Sequence, residues 1–294
     1  MTPLHAVLKE DTMLRRIPPA LAAALVVFAV VAPAGAADNW PQCNGLDATI
    51  IWTNYPDRVI PGTEGDDVIV GSLEADTIDG SGGNDTICGR DGNDVVNAGE
   101  GDDWVNSGRD DDTVHGGAGV DHLDGDLGND KIYGDLGHDF VDGGMGDDRV
   151  GGGGGNDHVW AGEGNDYMAG GAGSDILVGS PGNDEMHGGP GNDYLHGYDQ
   201  DDTMYGDGGN DVLSAGIGYD ILYGGPGDDI LLAGSENDEL YGEDGSDSLE
   251  GQTGDDIHDG GGDPGDVDYC GPGADTYNPN DGFHHQNCEI PATP

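Results

Sequence analysis

Residues 116–142 read GGAGVDHLD, GDLGNDKIY, GDLGHDFVD. These are three units of nine in which the sixth residue is Asp (Asp121, Asp130, Asp139) and the eighth is aliphatic (Leu123, Ile132, Val141). Outward from this stretch the same frame runs from residue 62 to residue 259 without insertion or deletion, twenty-two units in all. The sixth position is Asp in every unit. The eighth is aliphatic or Met from Ile69 to Leu249 and fails only at His258. The first position is usually Gly, the fourth is Gly in eighteen units, and the fifth is Asn or Asp in sixteen. The unit is G-x-x-G-(N/D)-D-x-U-x with U apolar, and a period this strict is architecture before it is chemistry.

Gly accepts positive φ and Asn or Asp can bond nearby backbone, so four of the nine residues form turns. The x-U-x triplet is the part expected to extend, with six-residue turns between triplets. Alternate side chains of a strand point to opposite faces, so the apolar residue faces a core and its neighbours face out. One unit cannot cover that residue; stacking is required. The expected fold is all-β, a parallel β-roll (β-solenoid) of about eleven 18-residue coils, roughly 50 Å long at ~4.8 Å between strands. Its core is one residue thick, too little to be stable alone.

Each edge of such a roll carries a ladder of carboxylates. One ladder is Asp67, Asp85, Asp103, Asp121, Asp139, Asp157, Asp175, Asp193, Asp211, Asp229 and Asp247. The other is Asp76, Asp94, Asp112, Asp130, Asp148, Asp166, Asp184, Asp202, Asp220, Asp238 and Asp256. Like charges about 5 Å apart cost on the order of a few kcal/mol per pair at an intermediate dielectric. The five Lys and Arg that follow Ala36 cannot serve twenty-two carboxylates, so the cation must come from solution. A hard divalent ion that takes carboxylate and carbonyl oxygens in flexible geometry is calcium. Magnesium demands a tighter octahedron, and no thiolate or imidazole column invites zinc or copper.

Units such as GGAGVDHLD (residues 116–124) and GGPGNDYLH (residues 188–196) closely resemble the repeats-in-toxin, or hemolysin-type, calcium-binding repeat, and the resemblance covers residues 62–259. It implies a roll in which each Ca2+ lies between turns eighteen residues apart, held by Asp side chains and loop carbonyls. Ten gaps on each of two edges give about twenty ions. Glu74, Asp110, Gln200 and Glu236 depart from the fourth-position Gly and put the turns there in question. A disordered acidic tract shares this composition, but disorder has no need of an apolar residue held in register. It is the expected calcium-free state.

The net charge is −52, and it becomes −53 once residues 1–36 are set aside. Charge of that sign excludes nucleic acid and anionic lipid as partners. Arg15 and Arg16, the apolar residues 20–31 and Ala34-Gly35-Ala36 read as a secretory signal peptide over residues 1–36, with Met13 read as the true start. The apolar run is too short for a membrane anchor, so the expected location is extracellular. Toxin members of the family are typically exported through a C-terminal signal, so this leader is a departure. Cys88 and Cys270 lie too many coils apart to bond, which leaves 43 with 88 and 270 with 288, each stapling an end.

Residues 37–61 and 260–294 read as caps. Counting back in nines, Ile60 and Ile51 keep the apolar position while Arg58 and Thr49 replace Asp; Arg58 is expected to close the ion column near Asp76. At the other end His258 beside Ile257, and Val267 after a ten-residue unit, suggest that the pleat slips by one. CGPGADTYN (residues 270–278) is a degenerate last repeat with Asp275, and His284-His285 reads as an exposed loop.

No H-E-x-x-H, G-x-S-x-G, P-loop or EF-hand pattern is present, and the carboxylate pairs are explained by their period, so no enzyme activity is expected. Outward positions of the odd-numbered units gather Trp104, Phe140, Trp160, Ile176, Val178, Tyr194, Val212, Ile230 and Leu232, a surface for self-association or a ligand. The opposite face carries Tyr205, Tyr223 and Tyr241 below His187, amid Lys131, Arg149, Glu185 and Glu239. β-Propensity and cross-strand stacking account for much of both. Ice binding is disfavoured, because the third position holds Thr only at Thr253. The chain thus reads as a secreted multi-site calcium-binding protein with calcium-dependent folding, an extracellular structural or adhesive module. A calcium buffer and an accessory subunit of a separately encoded enzyme are the alternatives.

Overall fold

The computed structural model describes residues 42–51, 59–262, 265–277 and 284–286. These form a parallel β-solenoid made of a thirteen-stranded and a fourteen-stranded sheet whose strands alternate along the chain. Between one repeat and another, strands pair at a separation of eighteen residues, as His122, Leu123 and Asp124 pair with Phe140, Val141 and Asp142. No helix among the described residues is long and apolar enough to cross a membrane. The leader, Arg58 and Cys288 lie outside the described residues.

The eighth-position residues meet between the sheets as one seam, each at most 2 % exposed from Ile60 to Leu249. Their neighbours alternate outward, as the period of two requires. The strands are longer than the expected triplet. His158–Glu163, for example, runs through x-U-x and the next three residues, leaving three for the turn. An exact 18-residue period places each N–H over a carbonyl of the adjacent coil, so the parallel ladder continues through residues that are not themselves β in φ and ψ.

The second position is the case in point. From Ser81 to Gln252 it has positive φ in every unit, including non-Gly residues such as Arg90 (φ 95°), Tyr198 (φ 90°) and Glu243 (φ 72°). The fourth-position departures are also informative. Where Gly137 and Gly155 have φ of 158° and 147°, Asp110, Gln200 and Glu236 turn to 74°, 83° and 80°. A Cβ at Gly155 would collide with the Gly137 carbonyl. The three substituted residues retreat into the left-handed α region instead, which costs roughly 1–2 kcal/mol each for a residue with a Cβ. The turn survives; the cost falls on the fold as a whole.

Two expected registers are corrected. At the N-terminal end Ile60 pairs with Ile78 as the frame requires, but Ile50, not Ile51, pairs with Ile69 and enters the core. Cys43, Ala48 and Val70 form a second small core outside this coil, with Val68, Cys88 and Trp104 packed against it. Two adjacent Ile residues are equally apolar, so polarity alone could not set this register. At the C-terminal end the pleat does not slip: His258 pairs with Leu240 and is 1 % exposed, while Ile257 is 43 % exposed. The ten-residue unit is absorbed before Val267, so Asp268 pairs with Leu249 in the core column. His284–Gln286 is a strand paired with Val267–Tyr269, not a loop.

Cys43 and Cys88 are disulfide-bonded with a Cα separation of 5.7 Å. Cys270 is also disulfide-bonded. The first bridge ties the N-terminal cap to the first coils.

Candidate metal centre

The sixth-position Asp sits where the turn enters a strand, and the stacking period sets one Asp over another. Its Oδ1 accepts a hydrogen bond from the backbone N–H of the Asp one coil earlier, from Asp67 N to Asp85 Oδ1 at 2.8 Å through Asp238 N to Asp256 Oδ1 at 3.0 Å. Asp266 and Asp275 extend the two ladders by accepting from Asp247 and Asp256, nineteen residues away. Asp266 was not singled out in the sequence because the ten-residue unit takes it off the nine-residue frame.

The other oxygen has a different fate. In the first two units Asp67 Oδ2 accepts from Thr63 N and Thr63 Oγ1, both at 2.8 Å, and Asp76 Oδ2 accepts from Ser72 N at 2.5 Å. From Asp85 to Asp256 all twenty Oδ2 atoms are buried with no hydrogen-bond partner among the described residues. Where the first residue of the unit is Gly, Oδ2 packs against it, in most units with a carbonyl oxygen of the adjacent coil close by. A methyl added at Gly188 would lie 2.6 Å from Asp193 Oδ2 and 2.8 Å from the Gly206 carbonyl oxygen. Carboxylate and carbonyl oxygens therefore converge beside these glycines; at Asp112, where the first residue is Ser107, a side-chain hydroxyl bears on the carboxylate instead.

The fifth position contributes a second ladder that the sequence reading took only for turn chemistry. Its Asn or Asp oxygen accepts the N–H of the fifth residue one coil later, as Asn129 Oδ1 does from Asp147 N and Asp147 Oδ1 does from Asn165 N. His138 substitutes by accepting at Nδ1 from Asn156 N. The signal lay in the composition of that column, rich in side chains with an acceptor three bonds from Cα.

Burial raises the sixth-position carboxyls from Asp85 to Asp256. Asp94 and Asp202 are pushed up to about 8, by desolvation first, opposed by the N–H of the preceding Asp and reinforced by neighbouring carboxylates. Asp121, Asp166 and Asp247 rise to about 7 and Asp85 to about 6 for the same leading reason. A row of buried oxygens that resists ionisation and lacks donors fits a hard cation, which supplies the missing positive charge without needing a hydrogen. Calcium matches the oxygen-only set.

A parallel roll with unpartnered carboxylate oxygens from Asp85 to Asp256 defines a repeat solenoid with a cation-binding character. The model of the RTX calcium-binding nonapeptide repeat (4 copies) matches the chain over residues 61–96, 89–123, 97–131, 115–150, 142–177, 178–213, 205–240 and 232–264, and the chain belongs to that family. It is a calcium-binding repeat protein. No curated protein matches it. Within residues 61–264 there is repeat solenoid and no evident catalytic domain.

Proposed function

We propose that the ligands are the Asp of the sixth position, from Asp67 to Asp256, that about twenty calcium ions are bound, and that their binding is what folds the chain after export as a secreted protein. The observation that supports this most is the run of twenty buried Oδ2 atoms without a donor. Asp67 and Asp76 stand at the edge of the set, because Thr63 and Ser72 already serve their second oxygens. Equilibrium dialysis at about pH 7.5 should count about twenty ions per chain, and Asp157→Asn should remove at least one. A count of only a handful would sink this reading.

The biological role we propose is an extracellular structural or adhesive module. Its support is the outer surface of the fourteen-stranded sheet, where Trp160, Tyr194 and Ile230 are 36, 42 and 43 % exposed and Trp104, Phe140 and Ile176 are half-buried beside them. His122 and His158 alternate with Phe140 in that column, His122 stacking on Phe140 at 4.6 Å. Exposed apolar area of this kind marks contact with a partner or a second copy. Trp160→Ser with Ile176→Ser should abolish self-association or surface binding in sedimentation and adhesion assays run with calcium. Unchanged behaviour in both assays leaves calcium buffering, or an accessory role to a separately encoded enzyme, as the function.

A further inference from the structure

We propose that Tyr205, Tyr223 and Tyr241 form an oxidative cross-linking site, at which a one-electron oxidant joins two neighbouring tyrosines through a ring carbon–carbon bond and so clamps adjacent coils covalently. It rests on the fold alone; neither the ion count nor the adhesive role enters it.

The three residues follow the seam residue in alternate units, on the outer surface of the thirteen-stranded sheet, and each pairs directly with the next across parallel strands. The repeat gives all three side chains the same setting, so their rings stack as a ladder. The Tyr205 and Tyr223 rings are 5.0 Å apart at an interplanar angle of 4°, and the Tyr223 and Tyr241 rings are 5.0 Å apart at 11°. His187 stacks on Tyr205 at one end, at 4.5 Å and 6°, and at the other the Tyr241 hydroxyl donates to Glu239 Oε2 at 2.8 Å. Rings related in this way keep their corresponding carbons about one strand spacing apart, ~4.8 Å. A swing of each ring toward its neighbour, a fast side-chain motion, closes that distance.

Stacking by itself does not require a phenol. Phe140 stacks on His122 at 4.6 Å in an outward column of the other sheet, and a Phe would extend the present ladder as well. Three tyrosines supply what Phe lacks, a hydroxyl that gives up an electron and a proton together. A cleft lined by Tyr205, Asp207, Tyr223, Gly225, Pro226 and Glu243 opens beside the first pair and gives a small oxidant access to it. Other tyrosines are placed differently: Tyr133 stacks on His115, and Tyr194 and Tyr198 both contact His196. Cys43, Cys88 and Cys270 are already disulfide-bonded, so none of them offers a thiol to consume the oxidant first.

Each of the two tyrosines loses one electron and its phenolic proton to become a tyrosyl radical. The radicals couple at the carbons ortho to oxygen, and the hydrogens on those carbons move to the two oxygens to restore the phenols. Hydrogen peroxide, acting through a peroxidase-type oxidant, takes up the two electrons and two protons and leaves as two waters. Holding the rings side by side makes the coupling intramolecular, which favours it over collision between chains.

The test uses the dilute full chain folded in saturating calcium, treated with hydrogen peroxide and a peroxidase, and in a second arm with a photo-generated ruthenium oxidant that needs no enzyme contact. Dityrosine fluorescence is expected in the monomer band. Mass spectrometry of the digest should join the peptide of Tyr223 to that of Tyr205 or Tyr241 with the loss of two hydrogens. Tyr223→Phe, which keeps the stack, should remove nearly all of that signal, and Tyr133→Phe should leave it unchanged. The cross-linked monomer should unfold at higher guanidinium concentration than the untreated chain at the same calcium, because a bond that closes a loop restricts the unfolded state. Dityrosine confined to dimers, an undiminished monomer signal in Tyr223→Phe, an equal yield of the ruthenium reaction from chain unfolded in guanidinium, or an unchanged unfolding midpoint each overturns the proposal. None of these readouts counts calcium, so a failed ion count leaves the result intact.

Discussion

Stripped of divalent metal at about pH 7.5, the chain should lose its far-UV β spectrum entirely and regain it cooperatively when calcium is returned. The reasoning is a comparison of magnitudes. Neighbouring carboxylates in each ladder are one strand spacing apart, and each charged pair costs on the order of a few kcal/mol. Against this stands a seam one side chain thick, plus left-handed residues such as Tyr198 and Gln200 that the turns must hold at roughly 1–2 kcal/mol each. A ligand that binds only the folded form contributes about 2.7 kcal/mol per site at a hundred times its dissociation constant. With one candidate site for each of twenty unpartnered oxygens, that contribution dominates. Circular dichroism and small-angle scattering during a calcium titration measure it. Full β structure persisting in excess chelator at neutral pH would falsify it.

Metal-free protein should nevertheless fold when acidified to about pH 5. The ladder carboxyls are raised in the folded chain, to about 8 at Asp94 and Asp202 and to about 6 or 7 at Asp85, Asp121 and Asp166, from 3.8 when unfolded. A raised folded pKa means that the native state holds its protons more tightly than the unfolded state. The resulting stabilisation is complete below about 3.8 and is lost as pH rises through 6 to 8. Protons then stand in for calcium, each neutralising one buried Oδ2. With calcium present the sign reverses: bound ions favour the ionised carboxylates, so calcium stabilises above the unfolded pKa and is displaced by acid. Proton release on calcium binding, large at about pH 5 where the metal-free chain is folded with its ladder protonated and small at about pH 7.5 where the unfolded chain is already ionised, is the direct readout. A metal-free chain equally disordered at about pH 5 and pH 7.5 would sink the argument from burial.

The periodic part of the molecule was legible because one residue in nine had nowhere else to go. Ile69 through Leu249 could be assigned to a seam, and Asp67 through Asp256 to two edges, from spacing alone. What spacing could not reach was the identity of the second oxygen's partner. Thr63 and Ser72 bond Asp67 and Asp76 locally, whereas the same position in later units turns to positive φ and leaves Oδ2 facing a carbonyl. Both arrangements follow from sequences with the same pattern. The fifth-position ladder escaped for a related reason: an Asn that favours a turn and an Asn that bonds the next coil are the same letter.

The sequence by itself determined that this is a parallel roll with Asp at every turn, because a strict nine-residue period admits a single way to cover one apolar side chain per unit. Only the tertiary structure decided the two ends, where the period fails. There Ile50 pairs with Ile69 and joins the core under a cap held by Cys43 and Cys88, and His258 stays in the seam with Asp268 after a ten-residue unit. Inside the repeats each residue's place is fixed by the residues eighteen away. At the ends there is a neighbour on one side alone, and packing against non-repeating chain chooses which side chain goes in.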